Sequence, residues 1–152
     1  MSAAGPLDDF NAFRRETATA RFFVRADGVL HVAFRGGDQS VPQARENLRC
    51  ASALLGTRAA PLLLDMSAAG GLPQEVKRYY ATALERPPVT AVAVVGDTML
   101  SRVQANLLIA TYKLAGTPVP IGLFRSEEEA LAWVHAPGAA EALDSRRGER
   151  LQ

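Results

Sequence analysis

The sequence predicts an α/β domain: a mostly parallel sheet with an antiparallel edge strand and flanking helices, in the order ββαβαβαβα. Three observations predict it. Short apolar runs alternate with stretches of helical periodicity of roughly 10–17 residues, the pattern of βαβ crossovers. The first two apolar runs are separated only by Ala26-Asp27-Gly28, which is short enough for a hairpin. The inner runs around Leu62-Leu63-Leu64 and Ala91-Val92-Ala93-Val94-Val95 are continuously apolar, as strands covered on both faces should be.

The elements follow in order. Residues 21–25 and 29–34 are β-type runs, with Leu30, Val32 and Phe34 on one face and His31 and Arg35 on the other. A helix fits 41–55, with Ser40 as N-cap and Pro42 in the first turn, where a missing N–H costs nothing. Its inner stripe is Ala44, Leu48, Ala51 and Leu55, and Gly56 closes it. A strand at 61–65 leads to a helix starting at Pro73, with Val76, Tyr79, Tyr80 and Ala83 inward and Pro87-Pro88 as its stop. A strand at 90–95, a long helix at 98–114 and a strand at 119–124 follow. Ser126 and Glu129 then form a capping box for the last helix, which docks through Ala130, Trp133 and Val134. Residues 1–20 read as an extension with a short helix near Phe10 and Phe13, residues 21–135 as the domain, and 136–152 as a polar tail.

At 152 residues and 48% hydrophobic content, the chain is one domain with an ordinary core. A net charge of +1 with interleaved signs argues against nucleic acid, which demands a concentrated basic face. No apolar stretch approaches the ~18 residues of a membrane helix. The start carries Asp8 and Asp9 rather than a basic, apolar leader. The lone Cys50 fits a reducing compartment, so the expected location is cytoplasmic.

Nothing in the residue pattern implies catalysis, a cofactor or a metal. His31 and His135 have no fixed spacing to each other or to Cys50, and neither His-x-x-x-His nor Cys-x-x-Cys occurs. Gly70-Gly71 lacks the spacing of a phosphate-binding loop, and Ser67 beside Asp65 has no base to activate it. Loop 65–72 still lies at the carboxyl end of a central strand, where α/β sheets commonly bind ligands. Asp65, Ser67, Gly70 and Gly71 are therefore the candidate ligand or partner loop, with backbone N–H groups able to hold an anion or nucleotide phosphate.

The order of elements resembles the STAS fold of anti-sigma-factor antagonists. The strand closing in Leu62-Leu63-Leu64-Asp65-Met66-Ser67 is similar to the family's apolar strand with an Asp-x-Ser end. The stretch Ile121-Gly122-Leu123-Phe124-Arg125-Ser126-Glu127-Glu128-Glu129 with Trp133 resembles the ending of a bacterial single-domain subgroup, and Asn106 matches a position of that subgroup. The resemblance covers about residues 20–135 and implies a non-catalytic regulatory module. In that family a partner kinase phosphorylates a Ser or Thr before the second helix. Here residues 68–78 contain no hydroxyl, and Ser67 is the nearest.

The helix at 98–114 is apolar nearly all round. With Met99, Val103, Leu107, Ala110 and Leu114 taken as the inner stripe, Ala105, Leu108 and Tyr112 fall opposite and Ile109 on a flank. That outer face is covered either by the termini (Phe10 and Phe13, or Leu143) or by another molecule. Ala105, Leu108, Ile109 and Tyr112 are thus the expected partner-binding residues, with Lys77 and Arg78 as a polar rim and a homodimer as the expected state. The competing expectation is a carrier of a small apolar ligand, analogous to CRAL-TRIO domains.

Overall fold

The computed structural model describes residues 14–84 and 86–136. Six strands form one sheet in sequence order: β1 (Arg14–Glu16), β2 (Ala20–Val24), β3 (Leu30–Phe34), β4 (Ala60–Asp65), β5 (Val89–Val95) and β6 (Ile121–Phe124). The first three pair antiparallel and the last four parallel. The helices are α1 (Val41–Leu55), α2 (Gln74–Thr82), α3 (Met99–Leu114) and α4 (Glu127–His135). The mostly parallel architecture is the predicted one, with β1 as an additional edge strand. The helix expected near Phe10 and the tail with Leu143 lie outside the described residues.

Local chemistry places the elements. Gly28 adopts φ +87° in the β2–β3 turn, and its N–H donates to the Arg25 carbonyl. Ser40 and Gln43 form a reciprocal capping box at the start of α1, and Thr98 and Ser101 do the same for α3. At α4 the Ser126 hydroxyl accepts from the Glu129 N–H, but the Glu129 carboxylate accepts from the Arg125 N–H. The expected box is therefore displaced by one residue on its return side.

The strand pleat divides the core in two. Phe22, Leu30, Val32, Leu64, Val92, Val94 and Ile121 point to a layer shared with α1, α2 and α3. Val29, Leu63, Ala93 and Val95 point the other way, against Ala130 of α4, with Trp133 and Val134 packed beside them. Both faces of β4 and β5 are covered, which is why their inner stretches Leu62–Leu64 and Ala91–Val95 are continuously apolar. The Arg25 guanidinium joins the hairpin to α4 by contacting Glu127 at 2.8 Å, and His135 meets Asp27 at 3.0 Å. Burial works to raise the Asp27 pKa, but the contacts with His135, the Val29 N–H and Arg25 prevail and hold it below the ordinary carboxylate value.

Three expectations about the helices are corrected, two about faces and one about an end. The largest concerns α3: Ala105, Leu108 and Ile109 are 0%, 1% and 8% exposed, and half-buried Tyr112 packs on the same core. The exposed stripe is Met99, Leu100, Val103, Leu107 and Leu114. Both stripes are apolar, so hydrophobicity alone does not choose between them. The buried one includes Ser101 and Thr111, whose hydroxyls bond within the helix, to Thr98 and to the Leu107 carbonyl. Small Ala105 also lets the helix approach closely, which a stripe of Met and Leu would not.

The second correction is Lys77, expected on an outer face. It is buried, and its Nζ donates to the Leu72 carbonyl at 2.8 Å, tying α2 to the loop before it; Arg78 is exposed. Third, α2 ends at Thr82, with Ala83 already extended, five residues before Pro87 rather than at it.

Candidate functional site: an apolar cavity under a short helix

The early end of α2 has a consequence for the layer it covers. It packs between α1 and α3, which have 15 and 16 residues against its 9. At 1.5 Å per residue it spans about 14 Å where its neighbours span about 23 Å. The amino-terminal ends of the parallel strands are therefore left without a helix over them. A cavity of about 340 Å³ occupies the gap.

Its floor is Leu30, Val32, Leu62, Leu64, Val92 and Ile121 of the sheet. Leu48 and Ala51 of α1 and Leu108 and Tyr112 of α3 form the sides. The mouth is framed by the segment following α2, from Ala83 and Leu84 to Arg86 and Pro88, and by Thr117 to Val119 after α3. Small residues at Ala51 and Ala83 keep the space open. This volume lies within the range of roughly 300–1,000 Å³ seen for small-molecule sites, which are likewise mostly apolar with a few placed polar groups.

The polar groups of the wall are of two kinds. Asn47 is the hub of a closed network. Its Nδ2 donates to Thr19 Oγ1 at 2.9 Å and to the Tyr80 hydroxyl at 3.0 Å, and its Oδ1 accepts from Thr17 Oγ1 at 2.5 Å. Tyr80 in turn donates to Gln39 Oε1. Burial pushes the Tyr80 phenol up, so it stays a neutral donor. The second kind sits at the mouth. Thr117 Oγ1 is buried with no hydrogen-bond partner among the described residues, and the Arg86 Nε donates to the Ala83 carbonyl. Burial raises the nearby Tyr112 hydroxyl to about 12, with the Arg86 charge acting in opposition.

The loop expected to hold an anion is built differently. Asp65 Oδ1 accepts from the Ser67 N–H at 2.9 Å, which closes a local turn at the end of β4. The Gly71 N–H donates to Asp38 Oδ1 at 2.7 Å, and the Gly71 carbonyl accepts from the Gln39 N–H. A carboxylate of this chain already occupies the donor that an external anion would use, and its charge repels one. Gly70 and Gly71 are small because they pack on residues 36–38: a Cβ at Gly70 would strike the Gly37 carbonyl, and one at Gly71 would strike the Asp38 carboxylate. The signal in the sequence is Asp38 following Gly36-Gly37, a carboxylate placed after a turn that lets the two loops approach.

His31 lies on the opposite face of the sheet from the cavity. It is buried, stacks on Phe23 with centroids 4.5 Å apart, and has its Nδ1 3.9 Å from Glu127. Burial holds its pKa below 6.5, although Glu127 and Asp65 pull upward. The folded state thus binds this proton less readily than the unfolded chain. The stability it contributes is complete above about pH 6.5 and is lost as pH falls below that towards the folded value. An NMR titration should give His31 a midpoint below that of a free imidazole; a midpoint at or above 6.5 contradicts the burial. Among the described residues, no three His, Cys, Asp or Glu side chains gather closely enough to share a metal ion, and no helix is long and apolar enough to cross a membrane.

Among the described residues, a sheet with an antiparallel start and parallel finish, three helices on one face and one on the other, is a STAS-like arrangement. The same fold occurs in the crystal structure of an uncharacterized protein from the DUF3478 family with a SpoIIAA-like fold, from Shewanella loihica PV-4. The two superpose with a TM-score of 0.51 over 78% of this chain and 96% of that one, at 18% sequence identity. Residues 22–136 match the domain of unknown function DUF7793, and the chain belongs to that family. No curated protein matches it in sequence.

Proposed function

We propose that this protein is a non-catalytic binding module that takes a small apolar molecule between its sheet and helices α1, α2 and α3. The observation that carries the reading is the apolar cavity of about 340 Å³ left by the short α2. At about 30 Å³ for a water-sized group, it has room for on the order of ten methylenes. The STAS-like fold fits a regulatory role in which occupancy alters a contact made elsewhere on the domain, and half-buried Cys50 fits a cytoplasmic setting.

Filling the cavity tests this. Ala51→Phe and, at the mouth, Ala83→Phe should each abolish binding of the neutral fluorophore phenylnaphthylamine while leaving a cooperative thermal transition. Wild-type protein that does not bind the fluorophore, or folded variants that bind it as wild type does, would overturn the reading.

A second reading is favoured by the exposed stripe of α3, where Met99 and Leu114 are 84% and 89% exposed. Its occupant would be a second copy of this chain. The stripe Met99, Leu100, Val103, Leu107 and Leu114 carries no charge, so two copies can meet across a two-fold axis without opposing like charges. This keeps the expected homodimer but moves it to the face opposite the one the sequence suggested.

A further inference from the structure

The polar groups at the cavity mouth narrow the class of ligand. Asn47 and Tyr80 are already committed to Thr17, Thr19 and Gln39, so they orient nothing new. Thr117 Oγ1 is different: it is buried with no partner among the described residues, which is uncommon in a folded protein and marks a place for an incoming polar atom. Arg86 is the one charged side chain among the described residues lining the cavity. Its Nε is held by the Ala83 carbonyl at 3.2 Å, which fixes the stem along the rim. The terminal amino groups of the guanidinium then form a fork suited to a planar, singly charged carboxylate. Thr117 and Tyr112 are joined through their backbones, the Thr117 N–H donating to the Tyr112 carbonyl, so these groups belong to one rim.

We propose that the ligand is a single-chain amphiphile with a carboxylate head, its tail among Leu30, Leu48, Leu64 and Leu108 and its head on Arg86 and Thr117. This rests on the apolar-ligand reading and adds the head group. Among the described residues the wall carries one positive charge and no negative one, which selects a monoanion over a neutral or cationic head. The cavity volume of about 340 Å³ favours a medium chain of about ten carbons.

The experiment displaces phenylnaphthylamine from the full chain with decanoate, decanol and decylamine, using wild type, Arg86→Gln and Thr117→Val. In wild type, decanoate should compete at a concentration on the order of tenfold below decanol, with decylamine weakest. Arg86→Gln should erase the preference for decanoate over decanol, both read against the affinity of that same variant for the fluorophore. Thr117→Val, which keeps the shape, should weaken decanoate by a smaller factor. If the fluorophore binds but decanoate and decanol compete equally, or Arg86→Gln leaves the preference intact, the carboxylate assignment is overturned while the cavity reading stands. If the fluorophore does not bind wild type, the cavity reading itself fails.

Discussion

Leu108→Glu is expected to unfold the domain. Leu108 is 1% exposed, packed in the layer between α3 and the sheet and lining the cavity. Removing a buried Leu side chain costs about 2–5 kcal/mol, and an unpaired carboxylate in its place adds a further desolvation cost. Against a total stability of about 5–15 kcal/mol for a domain, a loss above about 4 kcal/mol leaves little folded protein. Its neighbour Leu107 is half exposed in the single chain, so at a protein concentration too low for self-association Leu107→Glu should change stability by less than about 1 kcal/mol. Urea titration followed by circular dichroism separates the two. Equal effects, or a tolerated Leu108→Glu, would mean that α3 is turned the other way. The same Leu107→Glu protein reads out the second proposal: if a second copy covers the stripe, sedimentation should show a dimer in wild type and a monomer in the variant.

The second large effect is expected at Gly70. An added methyl would overlap the Gly37 carbonyl oxygen and carbon and come within 2.8 Å of the Gly36 carbonyl oxygen. The obstacle is backbone, which cannot swing aside as a side chain would. Gly70→Ala should therefore cost about 1–3 kcal/mol, lowering the melting temperature by roughly 5–12 °C. Gly37→Ala, where a Cβ would have open space, is the control and should melt within about 2 °C of wild type. A Gly70→Ala protein as stable as Gly37→Ala would show that the two loops do not touch.

The sequence carried the fold because each element has its own local signal. Ser40 with Gln43, Gly28 in its turn and the apolar run Ala91–Val95 of β5 each specify one element without help from the rest. The site was less legible, for reasons that differ by residue. On α3 the two stripes are almost equally apolar, and the choice between them rests on Ser101 and Thr111, polar residues that satisfy themselves inside the helix. In loop 65–72 the glycines looked like free donors, but Asp38, 33 residues earlier, accepts from one of them. Lys77 looked solvated until the Leu72 carbonyl gave it a buried partner. The cavity has no sequence motif at all. It follows from where α2 stops, and that end at Thr82 bears no Gly or Pro to announce it. Pro87 and Pro88 were read as the stop but instead frame the mouth.

The central claim is that an apolar molecule enters the space between the sheet and the three helices. An amide chemical-shift map of the protein titrated with decanol tests it most directly. The account expects saturable shifts clustered at Leu48, Ala51, Val92, Leu108 and Ile121, with the outer stripe of α3 at Val103 and Leu107 unmoved. Shifts confined to that outer stripe, or none up to the solubility of the alcohol, would contradict it.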